Sequence, residues 1–168
     1  AIKRSGNTPL FIGGDHSSAI GSVSGDAATE SRLGLLWIDA HSDINTDAST
    51  ITGNIHGMPV SALMGFGHEK LCSVYGEQPK ILPEDVVLFG LRDVDPLEAD
   101  IIERLNIRCY YFSEIMQRGL DVCLNEIKSC FSKVSRLHVS FDLDSMDPAY
   151  IKGVSVPAAD GFLEQDVF

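Results

Sequence analysis

The sequence predicts an α/β protein, a three-layer α/β/α sandwich around a mostly parallel sheet. The chain contains five short apolar runs, at residues 9–12, 33–38, 86–91, 107–112 and 137–141. They are nearly continuous rather than alternating, which is typical of strands buried on both faces. Helical periodicity occurs at 58–66, 97–105 and 122–131. Strands that alternate with helices indicate a parallel sheet covered by helices.

One domain accounts for the length of the chain. A chain of 168 residues, 44% of them hydrophobic, can form one sizeable core. It opens one short step before its first apolar run and ends without a helix stop signal. We therefore expect residues 1–168 to be a single catalytic domain that is the central part of a longer one, truncated at both ends.

Charge and composition exclude two classes of partner. The net charge of −11 disfavours nucleic acid, since phosphate binding needs clustered Lys and Arg, and suits cations or a basic substrate. The sequence contains no apolar run long enough for a membrane span and no apolar signal core. Four irregularly spaced cysteines fit reduced thiols. We expect a cytoplasmic protein that binds neither nucleic acid nor membranes.

The segment WIDAHSD carries the strongest chemical signal. It places Asp39, His41 and Asp43 at i, i+2 and i+4 directly after an apolar run. In an extended segment this spacing puts the three side chains on one side. Carboxylate and imidazole together suit Mn²⁺, Zn²⁺ or Fe²⁺ better than Ca²⁺. The alternative is a polar loop whose Asp residues cap turns.

Two further segments place possible ligands at the ends of apolar runs. SFDLDSMDP carries Asp142 and Asp144 at i and i+2, and two such close charges are costly unless a cation or a proton offsets them. GGDHS carries His16 after two glycines. The carboxyl ends of parallel strands meet at one rim of a sheet, so we expect these side chains to converge there. One metal could not use so many ligands, whereas two bridged metals could.

A histidine flanked by small residues lies in the segment GNIHGMPVS. His56 is expected on a loop, where a histidine near a metal site is suited to carry a proton. An ordinary surface histidine in a turn is the alternative.

These segments together resemble a known family. GGDHS, DAHSDINT, GNIHGMPVS and SFDLDSMDP are similar, in order and spacing, to the four signature segments of the ureohydrolases. GLRDVDPLE and the ending DINT favour the arginase branch over agmatinase. The resemblance covers essentially the whole chain and implies an α/β/α enzyme that assembles as a homo-oligomer, a trimer or a hexamer.

The resemblance also implies roles for individual residues. Two Mn²⁺ ions per subunit would share six ligands, and Asp39 and Asp142 would bridge them: His16, Asp39, His41, Asp43, Asp142 and Asp144. Asp43 would accept the proton of the attacking water, and His56 would be the proton shuttle. Asn45, Thr50 and Thr52 would bind the amino-acid carboxylate of a substrate, and Asp95 and Glu98 would lie near its α-amino group.

The implied reaction is cleavage of a guanidinium to release urea, with conversion of L-arginine to L-ornithine as the leading expectation. The chain departs from the family at Val156, where relatives have a Thr lining the site, and at Thr52, where they commonly have Ser. The family's guanidinium-binding glutamate would fall beyond Phe168.

Three alternatives remain at this stage. Another ureohydrolase, an agmatinase or a formiminoglutamase, would share the metal motifs. A metallophosphoesterase would share the D-x-H and G-N-x-H patterns, although the chain has no later G-H-x-H pair. A non-catalytic remnant that binds metal or oligomerises would retain the ligands without turnover.

Overall fold

A parallel sheet runs through the computed structural model, which describes residues 5–76 and 79–167. Four strands form it within those residues: β1 (Leu33–Ile38), β2 (Val86–Leu91), β3 (Arg108–Tyr111) and β4 (Arg136–Phe141). Their order across the sheet is β3-β2-β1-β4, and every neighbouring pair is parallel. All carboxyl ends therefore open on the same rim.

Helices cover both faces of the sheet, so the predicted three-layer sandwich is confirmed. In chain order they are α1 (Ala19–Ala27), α2 (Pro59–Leu63), α3 (Glu69–Cys72), α4 (Pro96–Leu105), α5 (Phe112–Arg118), α6 (Leu120–Cys130) and α7 (Glu164–Val167). Helices α1, α2 and α4 share one core with Leu35, Trp37 and Leu88. Helices α5 and α6 share a second core with Leu36 and Phe89. Alternate residues of β1 and β2 thus point to opposite cores.

The central strands match their predictions more closely than the flanking elements do. β1 and β2 begin and end at the predicted residues. The run at 107–112 is shorter as a strand, because Phe112 already begins α5. The helix predicted at 58–66 is shorter too, since α2 ends at Leu63. Helices α1, α3, α5 and α7 have no counterpart among the helices predicted from periodicity.

The first predicted strand, at residues 9–12, is wrong. These residues form no strand, and Leu10 and Ile12 are each 87% exposed. A strand needs a hydrogen-bonded neighbour, and β4, at the edge of the sheet, pairs only with β1 among the described residues.

Burial on both faces is also wrong for β4. Val139 and Phe141 lie opposite Leu36 and Ile38 of β1, so they point to the face covered by α5 and α6. They remain 53% and 38% exposed, since those helices pack over β1, β2 and β3 and leave the edge strand uncovered.

Candidate metal centre

Two neighbouring strands bring the acidic loops together at the rim. Asp39 follows β1, and its backbone N–H donates to Phe89 O at 3.0 Å. Asp142 follows β4, and its backbone N–H donates to Ile38 O at 2.9 Å. Gly90 has φ +95°, and a Cβ there would lie 3.2 Å from Asp39 O. Only glycine permits this close approach of β2 to the start of the Asp39 loop.

The ring of His16 is held in one orientation. It belongs to a short 3-10 turn, His16–Ser18, capped by the side chain of Asp15. The imidazole stacks on Trp37 with ring centroids 3.7 Å apart and planes 15° from parallel. Its Nε2 lies 2.8 Å from Ser140 Oγ, which leaves Nδ1 directed at the carboxylates.

The first ligand group comprises His16, Asp39 and Asp142, with Asp43 beside it. His16 Nδ1 lies 2.8 Å from Asp39 Oδ2 and 3.2 Å from Asp142 Oδ2. Asp43 Oδ2 is also 3.2 Å from that nitrogen. Three carboxylates thus converge on one imidazole nitrogen.

The second ligand group comprises Asp39, His41 and Asp144. His41 Nδ1 lies 3.2 Å from Asp144 Oδ2 and 3.4 Å from Asp39 Oδ1. The other ring nitrogen, Nε2, has no hydrogen-bond partner in the described part of the chain, and Asp93 Oδ2 is 3.7 Å from it.

Asp39 links the two ligand groups. Its Oδ2 faces His16 and accepts from Trp37 Nε1 at 3.0 Å, whereas its Oδ1 faces His41. The carboxylate is 1% exposed, so protein contacts fix its orientation. One carboxylate with an oxygen in each group is the arrangement that a pair of bridged cations requires.

Asp43 holds an unusual backbone conformation. Its φ is +49°, which non-glycine residues rarely adopt, and the residue is buried. Its carbonyl accepts from Val60 N–H at 3.0 Å, so α2 anchors the loop. Such conformations cluster at functional sites, where the surrounding structure holds them in place.

The carboxylates of the centre raise the pKa values of its two histidines, so the cluster favours bound positive charge. Burial alone would lower the pKa of His16, but Asp142, Asp39 and Asp43 outweigh it and raise that pKa to about 11. Burial opposes Asp144 and Asp39 in the same way at His41, where the pKa also rises to about 11. Burial raises the pKa of Asp144 to about 6. The pKa of Asp43 is raised by burial and by the charge of Asp39.

These residues fit divalent cations. Each histidine directs Nδ1 into the cluster and Nε2 away from it. Nε2 of His16 lies 2.8 Å from Ser140 Oγ, and metal-binding histidines are usually oriented by such a partner on the second nitrogen. The mixture of carboxylate oxygen and imidazole nitrogen suits Mn²⁺, Fe²⁺ or Zn²⁺.

The predicted substrate residues line the same open cleft, whose volume is about 1600 Å³. Asn45 Nδ2 donates to Asp95 Oδ2 at 3.2 Å. The hydroxyls of Thr50 and Thr52 accept from backbone N–H groups of their own loop. His56 lies on the 3-10 turn Ile55–Gly57 and also lines the cleft.

Glu98 also borders this cleft, but both of its oxygens are bonded inside the protein. It is 5% exposed and accepts from the backbone N–H groups of Ile44 and Asp95. With Asp95 it forms the capping box of α4, so its visible contacts fix the Asp43–Asn45 loop to that helix.

Three residues that contact the ligands have no place among the predicted site residues. Trp37 and Ser140 each lie two residues before a ligand carboxylate, so the period of a strand already puts them on the ligand side. Arg92 contacts the backbone of the Asp144 turn, and only its position after β2 hints at this.

Comparison with known proteins identifies the family. The Arginase family profile matches residues 1–168. The chain belongs to the arginase family. It is 42% identical over 161 residues to the arginase of Bacillus caldovelox and 40% identical over 161 residues to that of Brevibacillus brevis. Either alignment covers 95% of this chain and 54% of the relative.

Solved arginase-family structures share the fold. The arginase of Bacillus cereus superposes with a TM-score of 0.96 at 39% identity, covering 98% of this chain and 57% of that one. The chain thus spans about half the length of the relatives it matches. A match to this family over all 168 residues leaves no ground for the metallophosphoesterase alternative.

No helix among the described residues is long and apolar enough to cross a membrane.

Proposed function

We propose that this chain is the metal-binding part of a binuclear manganese hydrolase that cleaves a guanidinium and releases urea. Residues 1–168 would be the central part of one longer catalytic domain. The observation that carries the proposal is the orientation of Asp39, with one oxygen 2.8 Å from His16 Nδ1 and the other 3.4 Å from His41 Nδ1.

The two ligand groups would hold one Mn²⁺ each. The first ion would take His16, Asp39, Asp43 and Asp142. The second would take the second ligand group, Asp39, His41 and Asp144, together with Asp142, which only the resemblance to the family assigns to both ions. When bound, two such cations lower the pKa of water and so supply a nucleophile near neutral pH. The net charge of −11 favours both the ions and a cationic substrate.

Asp43 is the proposed acceptor of the nucleophile's proton. In the metal-free chain, burial and the neighbouring Asp39 raise the pKa of its carboxyl group. Asp43 lies beside the first ligand group, 3.2 Å from His16 Nδ1. A proton taken from the nucleophile therefore stays close to the reacting atoms.

His56 is the proposed donor to the leaving amine. It lines the cleft that contains both ligand groups, on a turn whose neighbours are partly exposed. A histidine that reaches both solvent and cleft can carry a proton between them.

L-arginine is the proposed substrate, with L-ornithine and urea as products. Asn45, Thr50 and Thr52 would bind its carboxylate, and Asp95 and Glu98 would act near its α-amino group. The hydroxyls of Thr50 and Thr52 accept hydrogen bonds only from their own loop in the described structure, so their protons remain to be donated. A cytoplasmic homo-oligomer, trimeric or hexameric, is proposed from the resemblance to the family.

The test uses the full-length protein loaded with Mn²⁺. We expect two Mn²⁺ per subunit by elemental analysis and urea release from arginine. Agmatine, which lacks the carboxylate, and formiminoglutamate, which carries a different amidine, separate the other ureohydrolases. A protein that binds two Mn²⁺ but releases neither urea from arginine or agmatine nor formamide from formiminoglutamate would be the non-catalytic remnant, and the hydrolase proposal would be wrong.

A further inference from the structure

Arg92 is attached to both acidic loops of the metal centre. It directly follows β2, and its backbone N–H donates to Ala40 O at 2.9 Å. Ala40 lies between Asp39 and His41, and its own N–H is 3.4 Å from Asp144 Oδ1. The backbone of Arg92 is thus one residue away from ligands of both groups.

The side chain of Arg92 reaches the second loop. Its Nη2 donates to Asp144 O at 2.6 Å and to Met146 O at 3.3 Å, and its Nη1 donates to Ser145 O at 3.2 Å. Three consecutive carbonyls are therefore bonded to one guanidinium. Asp144, Ser145 and Met146 are all buried, so these carbonyls have little access to water.

The guanidinium also donates to a third segment, residues 158–159, and holds it against this turn. Nε donates to Ala159 O at 2.9 Å, and Nη2 lies 3.4 Å from Ala158 O. The group also packs over the ring of Phe112, 5.6 Å from its centroid. Only a planar group with five donors can satisfy so many carbonyls at once.

These contacts close a ring through the centre. Arg92 binds Ala40 with its backbone and Asp144 O with its side chain, while Ala40 N–H reaches the carboxylate of Asp144. The ring fixes Asp144 relative to Asp39 and His41, the other members of the second ligand group. In the described part of the chain the guanidinium bonds only to main-chain carbonyls and forms no ion pair that would divert a ligand carboxylate.

We propose that Arg92 is a positioning residue that sets the affinity of the second ligand group for its cation. This inference rests on the proposed metal centre. Without the guanidinium, the buried carbonyls of Asp144 and Met146 lose their donors, whereas Ser145 O keeps the N–H of Phe162 at 3.1 Å, so the turn that carries Asp144 is held by fewer bonds. The first ligand group, anchored through His16, Trp37 and Ser140, keeps its contacts.

The test compares three variants of the full-length protein by Mn²⁺ titration calorimetry and by electron paramagnetic resonance of the coupled ion pair. Arg92→Met keeps much of the side chain's volume but removes every donor, and Arg92→Lys keeps the charge with a single donor group. Arg104→Met is the control, because Arg104 is on the exposed side of α4 and donates to Asp100 O of its own helix.

We expect Arg92→Met to bind the first Mn²⁺ as the wild type does and the second about 10–100-fold more weakly, with loss of the coupled signal. The affinity of Arg92→Lys for the second Mn²⁺ should lie between those of the wild type and Arg92→Met. Arg104→Met should bind both ions as the wild type does. Unchanged affinity for both ions in Arg92→Met would overturn the inference.

If Arg92→Met does not fold, Arg92→Lys decides: weaker binding of the second ion supports the inference, and unchanged binding overturns it. Wild-type protein that takes up fewer than two ions would overturn the proposed function itself, and with it this inference. The wild-type titration therefore distinguishes the two failures.

Discussion

The two ends of the cleft are built in different ways. At the metal end, Asp39 is 1% exposed and is contacted by residues as distant in sequence as His16. At the loop end, the hydroxyls of Thr50 and Thr52 bond, within the described residues, only to backbone groups up to three positions away, and Ile51 between them is 77% exposed. Long-range contacts fix the first region, and local contacts shape the second.

This difference separates two kinds of work. Cation ligands must stay in place before any ion arrives, because a cluster of like charges disperses unless packing holds it. A loop that binds a flexible amino acid can adjust on binding, and loops held by few buried contacts open easily. Substitutions at the metal end should therefore abolish urea release, whereas substitutions at the loop end should reduce it only in part.

The largest effect is expected from Asp142→Ala in the full-length protein. Asp142 belongs to the first ligand group, so its loss removes the nucleophile rather than one proton transfer. Urea release should fall by more than about 10⁴-fold, with less Mn²⁺ bound per subunit. Asp147→Ala is the matched control, since that carboxylate caps a turn outside both groups. Urea release near the wild-type rate from Asp142→Ala would contradict the bridged-metal proposal.

His56→Asn should leave part of the activity. A proton donor of this kind contributes about 10²–10⁴-fold, and water can replace it in part. The measurement is kcat for arginine, with Mn²⁺ content unchanged. His68→Asn is the control, because His68 caps α3 and accepts from Lys70 N–H at 3.2 Å. A loss of kcat as complete as that of Asp142→Ala would contradict the partial role expected for a proton donor. An unchanged kcat would show that His56 is not the donor.

Proton release on metal binding probes the metal end alone. With pKa values of about 11, His16 and His41 carry protons at pH 7.5 in the metal-free protein. Both must become neutral to bind metal, so the two histidines should release about two protons as two ions bind, and the overall binding constant for both ions should fall about 100-fold per unit fall in pH. A proton on Asp43, whose pKa is also raised, would add to that count. Calorimetry in buffers of different ionisation enthalpy counts those protons. A count near zero would refute the charge state inferred here.

The same pKa values set the sign of the stability change. Both histidine pKa values are raised above 6.5, so their contribution to the free energy of unfolding is full below pH 6.5 and is lost as pH rises toward 11. Metal-free protein should therefore lose stability between those limits, whereas protein saturated with Mn²⁺ should lose less. Thermal unfolding with and without a chelator measures the difference.

The sequence predicts the metal end better than the edge of the sheet, and the reason is physical. β1 and β2 are buried on both faces, so their apolar runs have one interpretation and the acids after them share a rim. Residues 9–12 are equally apolar, but a strand also needs a partner, which a local pattern does not record. The exposed face of β4 likewise depends on where α5 and α6 pack.

Residues that join the site through contacts between distant segments cannot be predicted from a sequence motif. Trp37 and Ser140 could be inferred from strand periodicity two residues before Asp39 and Asp142. Arg92 could not, because its acceptors are backbone carbonyls at 144–146 and 158–159, which have no residue signature. The resemblance alone places Glu98 near the substrate, and the hydrogen bonds that it accepts from Asp95 N–H and Ile44 N–H appear only in three dimensions.

The smallest effect is expected at Thr52, a residue proposed to bind the substrate carboxylate. Thr52→Val removes a donor to the substrate carboxylate, a hydrogen bond worth about 1 kcal/mol, so KM for arginine should rise about fivefold with little change in kcat. Thr52→Ser keeps the hydroxyl and the bond from Asn54 N–H, so its KM should stay within about twofold of wild type. Steady-state kinetics on the full-length protein separates the two constants. Equal KM values for Thr52→Val and wild type would place the hydroxyl outside the substrate site, whereas a fall in kcat would show that the loop end is coupled to the metals after all.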